Sequence, residues 1–180
     1  DLRVALSEQE PHESIPALSR GQVDIAIVQD WADDELTVPD NLSRRHLTED
    51  TLDLAVPADH RLAGQSGVAL ADLLDEDWIG WSATQICHDW LIHTLRITGT
   101  QPRIVHTASE HSTQLAFVAA RLGVALIPRL GREPVTASVR FVPVTGLPVR
   151  RIHALWRTSA SARPAISAAV DVLRRHGDGR

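Results

Sequence analysis

Lysine is missing from this chain: all 18 of its basic residues are arginine. That absence removes several chemistries at once. There is no lysine for a phosphate-binding P-loop, none to form a Schiff base with pyridoxal phosphate, and none for a Ser-x-x-Lys nucleophile pair. Methionine is missing too, so the 180 residues do not begin at their own start codon and are expected to be a fragment or a processed product. The single cysteine, Cys87, excludes an internal disulfide and fits a reducing, cytoplasmic setting. No apolar run is long enough to cross a bilayer, and the first residues lack the charged, apolar and small-residue series of a secretion signal. The formal net charge of −5 argues against the segment gripping nucleic acid by itself, since phosphate binding needs a basic face. What remains is an ordinary globular composition, 43% hydrophobic and 23% charged, in a length that suits one large domain or two small lobes.

The apolar pattern alternates between the periods of strand and helix. Leu2, Val4 and Leu6 alternate with polar neighbours and predict a strand. Ile15 to Leu18 predicts a short helix, with Ser14 as N-cap, Pro16 in the first turn and Gly21 at the left-handed end. Ile25 to Val28 is a continuous apolar run of the kind a buried parallel strand shows, completing a strand–helix–strand unit. Leu42 to Glu49 is polar and arginine-bearing; Leu52, Leu54 and Val56 then alternate into Pro57. Leu70 to Leu74 predicts a short helix and Trp78 to Trp81 a short strand. Ser82 to Thr84 would cap a helix carrying Ile86, Trp90, Leu91 and Leu95 on one side and ending at Gly99. Arg103 to His106 predicts a strand, and Ser109 to Leu122 a helix, with Leu115, Val118, Ala119 and Leu122 at helical spacing and Gly123 closing it. Val124 to Ile127 and Ile152 to Trp156 predict further strands, and a last helix starts near Pro164 with Ile166, Ala169, Val170 and Leu173 on one face. Strands alternating with helices predict a mainly parallel sheet. The order divides the chain into 1–56 with 147–180, and 57–146.

Nine histidines invite a metal site, but their spacing does not supply one. His88 and His93 fall on different helix faces, and no His-Glu-x-x-His occurs, so they read as surface or capping residues. Cys87 beside His88 is not a nucleophile pair, because adjacent helical residues point about 100° apart; a buried, inert cysteine fits better. Gly80-Trp-Ser82 lacks the second glycine of a nucleophile elbow. The tryptophans at 78, 81 and 90 read as core or interface residues and not as a cofactor cage. No catalytic residue, metal or cofactor is expected.

Five segments, in order, resemble the effector-binding domain of LysR-type transcriptional regulators. Leu18 to Val28, with Gly21 and Asp24 ahead of four apolar residues, is similar to the family's glycine–aspartate–strand stretch. Leu52 to Ala63, with Pro57, His60 and Leu62, resembles its strand followed by P-x-x-H-P-L-A. Val68 to Leu73 is similar to the short helix that follows, Val118 to Leu130 to its helix, glycine pair, strand and proline, and Arg163-Pro164 to its closing helix. Two residues depart from the pattern: Arg61 stands where proline is usual, and Arg121 where the first glycine of the pair is usual. The resemblance implies a periplasmic-binding-protein-like α/β fold, two lobes joined by crossing strands with a ligand cleft between them. It also implies a small-molecule effector, dimers or tetramers, and promoter DNA bound only through an N-terminal winged helix-turn-helix outside this sequence.

Open α/β sheets bind ligands beyond the C-terminal ends of their strands, where helix N-termini converge. The junctions of that kind here are Gln29-Asp30, Trp81 to Gln85, Ser109 to Ser112, and Pro128-Arg129. Carried over residue by residue, the family's contacts fall on Ser82, Thr84 and Gln85, and on Gln29, Ser109 and Pro128. Helix N-termini and hydroxyls favour a small anion, with Arg129 as a charge partner. The competing reading is that Ser82, Thr84 and Ser109 are only helix caps.

The resemblance also implies a strand and helix ahead of Asp1, with that strand lying between the Leu2–Leu6 and Ile25–Val28 strands. A gap of about two strand spacings between those two is the expected mark of its omission. Two other classes share the fold. A free-standing solute-binding protein would need export. A prephenate dehydratase would carry Thr-Arg-Phe, whereas Val139 precedes Arg140-Phe141 here.

Overall fold

A computed structural model describes residues 3–97, 99, 101–132 and 137–177. The chain forms two compact units, 1–50 with 149–180, and 51–148. The sequence pattern places these boundaries at 56/57 and 146/147. The first falls earlier because Leu52–Pro57 hydrogen-bonds on both sides to strands of the second unit.

In the first unit, helix α1 (Pro11–Ser19) precedes strand β1 (Ile25–Trp31). Strands β2 (Leu42–Asp50) and β9 (Arg150–Arg157) complete a sheet of order β1-β9-β2 in which every pairing is antiparallel. Leu18 of α1 packs on Ala26, Val28 and Leu155. On another cluster, helix α4 (Pro164–Gly177) sets Ile166 and Val170 against Leu47 and Ala154. Helix α1 starts earlier than its apolar residues predict. Pro11 takes the first turn, and the Glu13 carboxylate accepts a 3.3 Å bond from the Glu10 N–H, so Ser14 is a buried interior residue and not the cap.

The expected strand at Leu2–Leu6 does not form. Leu2 lies outside the described residues; residues 3–10 have no regular structure, and Val4 and Leu6 are 70% and 92% exposed. Three alternating apolar residues make a strand only beside a partner backbone, and β1 pairs with β9. The expected gap therefore has no first strand to be measured from.

The second unit contains β3 (Leu52–Pro57), β4 (Val68–Ala69), β5 (Asp77–Gly80), β6 (Arg103–Thr107), β7 (Ala125–Pro128) and β8 (Val139–Thr145). Its helices are α2 (Ile86–Arg96) and α3 (His111–Ala119). β3 is buried at all six residues because it pairs antiparallel with β7 on one side and β8 on the other. β5 and β6 are parallel, and β7 joins β5 through a parallel bridge at Trp78 and Val124. Trp78, Trp81 and Trp90 are core residues, and Cys87 is buried.

The sheets are thus not mainly parallel. The late strands β8 and β9 run against β3 and β2, and these four carry most of the pairing. Neither β2 nor β8 is marked in the sequence as a strand. A register shift between His46 and Thr48 breaks the two-residue period of β2, and its buried positions include Asp50.

Helix α3 ends at Ala119, short of Leu122. Arg121 takes the left-handed conformation at φ 60°, with Arg121 N–H on the Val118 carbonyl and Leu122 N–H on the Phe117 carbonyl. This is where the family resemblance places a glycine; Arg121 holds the same geometry while its guanidinium bonds Asp59 at 2.7 Å. Gly123 follows because a Cβ there would lie 2.6 Å from the Asp77 carbonyl oxygen of β5.

Candidate functional site

β5 and β6 lie side by side and parallel, so their C-terminal ends open at one edge of the sheet, and each leads into a helix: β5 into α2, β6 into α3. The pairing continues past the strands, with the Ala108 N–H on the Gly80 carbonyl at 3.0 Å. One residue further on, Ser109 Oγ donates to Ser82 Oγ at 2.9 Å. Gln85 Nε2 reaches the Ser109 carbonyl at 3.4 Å, and the Gln85 N–H bonds the Ser82 carbonyl at 2.9 Å. Three of the residues expected at the site therefore meet at a single junction in front of two helix N-termini.

Neither serine is a helix cap. The N-cap of α2 is Gln85 and that of α3 is Glu110, and neither makes a side-chain capping bond. The expected start of α2 at Ser82–Thr84 is displaced by the turn over residues 83–84, and Ser109 stays outside α3 because its hydroxyl bonds across to Ser82. Thr84 is exposed on that turn.

Pro128 is buried at the end of β7, whose bridge to β5 brings a third strand end to the same edge. Arg129, expected as a charge partner, forms a two-pronged pair with buried Asp53 at 3.0 Å on each oxygen. Arg132 also pairs with Asp53, so two guanidinium groups share one carboxylate. Gln29 belongs to the first unit, where its Oε1 accepts from Arg150 at 2.6 Å. Arg150 in turn pairs with buried Asp50 at 2.5 Å.

Two further residues complete the junction: His111, inside the expected Ser109–Ser112 segment but not singled out there, and Gln114. His111, the first residue of α3, has its ring edge-on to Trp81 at 6.3 Å between centroids. It packs against Gly131, where a Cβ would fall 2.6 Å from His111 Nδ1. Gln114 is fully buried and donates from Nε2 to the carbonyls of Gly80 at 3.3 Å and Ala108 at 3.0 Å, tying α3 to both strand ends. A glutamine beside Leu115 gives no sequence signal of such a role.

The histidines mostly serve local contacts, such as His88 Nδ1 at 2.8 Å from the Trp81 carbonyl. His153 departs from the surface reading: it is 3% exposed and bonded to Asp30. Two open, polar grooves of about 570 and 500 Å³ lie along residues 57–77 and around Arg103 and Arg121. Of these grooves, the second is lined by Asp77 and Arg103, the first residues of β5 and β6, and so lies at the opposite strand ends from Ser82 and Ser109. Their arginines are paired with acids, Arg61 with Glu76 at 2.6 Å and Arg121 with Asp59 at 2.7 Å.

Among families of known proteins, the LysR substrate binding domain matches residues 1–178. The chain is 32% identical to the HTH-type transcriptional regulator TtuA of Agrobacterium vitis over 143 residues, which is 77% of this chain and 46% of that protein. It spans about half the length of the curated relatives it matches. Among solved structures, the BenM effector binding domain with its effector benzoate aligns with a TM-score of 0.80 at 20% identity, covering 97% of this chain and 78% of that one. The effector binding domain of QuiR in complex with shikimate aligns with a TM-score of 0.74, also at 20% identity, covering 94% of this chain and 79% of that one. At such identity the likeness is one of fold.

Proposed function

Since the chain belongs to the LysR substrate binding domain family, we propose that it is the effector-sensing part of a LysR-type transcriptional regulator and that the Ser82–Ser109 junction holds a small anionic metabolite. The observation that carries this reading is the Ser109-to-Ser82 bond, which joins the C-terminal ends of two parallel strands in front of two helix N-termini. That is the position at which open α/β sheets receive ligands, and positive helix ends favour negative charge there. BenM and QuiR, named with benzoate and shikimate, set a precedent for carboxylates on this fold.

In this reading the domain binds and does not catalyse. Promoter DNA is contacted through a separate winged helix-turn-helix, the regulator works in the cytoplasm, and it assembles as a dimer or tetramer. The net charge of −5 supports a division of labour in which this part senses and another part grips DNA. Among the described residues, no helix is long and apolar enough to cross a membrane.

A ligand that binds the folded state raises the melting temperature with its concentration. A panel of small carboxylates is therefore expected to include a member that stabilises the chain, and Ser82→Ala with Ser109→Ala is expected to abolish the shift. A flat response across the panel, or a shift that survives the double substitution, refutes the placement.

A further inference from the structure

The Ser82–Ser109 junction offers its ligand both donors and acceptors, and the acceptors define the ligand more narrowly than its charge does. Gln114 is fully buried, and Nε2 bonds two carbonyls, those of Gly80 and Ala108. Gln85 Nε2 bonds the Ser109 carbonyl. Neither amide can be turned over, because the exchange would aim an amide oxygen at carbonyl oxygens. In this orientation the Oε1 atoms of Gln85 and Gln114 are both buried, and among the described residues neither receives a hydrogen bond. Buried carbonyl oxygens are nearly always bonded, so two without a donor at one junction mark a place where a donor is to be supplied. The donor side is also defined. Ser109 gives its proton to Ser82 Oγ, which leaves the Ser82 hydroxyl its own proton to donate.

Resting on the reading that this junction holds a small anion, we propose that the effector is a hydroxy acid. Its carboxylate accepts from Ser82 and faces the N-termini of α2 and α3. Its hydroxyl donates to Gln85 Oε1, which belongs to the less buried of the two glutamines. An ammonium group would satisfy the same acceptors, but the positive ends of α2 and α3 both meet at this edge and disfavour a cation, whereas a neutral O–H donates without that penalty.

The test is isothermal titration of the 180-residue chain with matched triads that differ only in one substituent: malate, succinate and aspartate; lactate, propionate and alanine; mandelate, phenylacetate and phenylglycine. In the triad that fits, the hydroxy acid is expected to bind at least about tenfold tighter than its deoxy partner, and the amino acid more weakly than the hydroxy acid. Gln85→Leu is expected to bring the hydroxy-to-deoxy ratio below about threefold. Should Gln85→Leu unfold the chain, Gln85→Asn, which withdraws the oxygen by one methylene, is expected to lose the same preference. Equal binding of hydroxy and deoxy acids, preference for the amino acid, or a preference that survives substitution of Gln85 overturns the proposal while the anionic reading stands. If no triad binds, or binding ignores Ser82→Ala, the anionic reading fails and this inference falls with it.

Discussion

His153 Nε2 lies 3.1 Å from Asp30 Oδ1, and both side chains are buried in the sheet of the first unit. Arg151 bonds the same oxygen at 2.8 Å, the Leu36 N–H bonds the other at 3.2 Å, and Arg44 stands 3.7 Å away. His46 packs edge-on to the His153 ring at 5.5 Å. Burial pushes the His153 pKa below its ordinary 6.5, outweighing the pull of Asp30. Burial pushes Asp30 the other way, but the bonds from Arg151, His153 and Leu36 outweigh it and hold the carboxyl below its ordinary 3.8.

Both groups therefore have lower pKa values folded than unfolded, and unfolding takes up protons at acid pH. Their contribution is fully present above pH 6.5 and is lost as pH falls, first through His153 and then through Asp30. Urea midpoints measured from about pH 8 to about pH 4 are expected to decline on the acid side, and His153→Gln is expected to flatten the decline just below neutrality. An unchanged profile in that variant would rule out His153 as the titrating group.

Gly131→Ala places a Cβ against the His111 ring, 2.6 Å from Nδ1. The ring has to move, and it carries with it the first residue of α3 and the contact with Trp81. The expected result is a loss of about tenfold, or about 1.4 kcal/mol, in effector affinity. Adding His111→Ala to make room is expected to restore part of it, as a double-mutant cycle by calorimetry would show. Strict additivity of the two losses would disprove the steric link.

Arg150→Met removes the guanidinium that buried Asp50 faces at 2.5 Å. Breaking such a pair from one side costs about 3–5 kcal/mol, whereas replacing both partners with apolar groups is far milder. Chemical denaturation is expected to show a large loss for Arg150→Met and substantial recovery for Arg150→Met with Asp50→Leu. A loss under about 1 kcal/mol in the single variant would mean that the pair is effectively solvated.

Leu54 sits at 0% exposure at the centre of β3, paired on both sides. Leu54→Ala is expected to cost about 2–5 kcal/mol, and Ile127→Ala on β7 a similar amount. Equilibrium unfolding in urea measures both. If they unfold at different denaturant concentrations from the remaining sheet of their unit, that unit is not a single cooperative body.

Local chemistry was enough to read much of this protein. The apolar runs at Ile25–Val28 and Val124–Ile127 are strands, Gly21 ends its helix at φ 78°, and Pro164 opens the last helix. These features depend on neighbours in sequence: a short apolar run, the left-handed freedom of glycine, and the missing N–H of proline. The expected parallel strand buried on both faces at Ile25–Val28 is instead antiparallel to β9 with Ile27 54% exposed, so only Val124–Ile127 is buried throughout. The Ser82, Gln85 and Ser109 positions were legible for a related reason, since each lies where a strand gives way to a helix. Other features were decided only when distant segments met. Whether Leu2–Leu6 forms a strand depends on a partner backbone, not on its alternation. β2 hides its strand character because Asp50 is buried against Arg150, 100 residues away. Ser82 and Ser109 look like caps in sequence, yet they stand outside both helices because their hydroxyls bond each other across 27 residues. Gln114 has no pattern to announce it; its role arises only because the carbonyls of Gly80 and Ala108 come within reach of one amide. A sequence records which groups seek partners, but the geometry that brings two strand ends together determines which of them find one another.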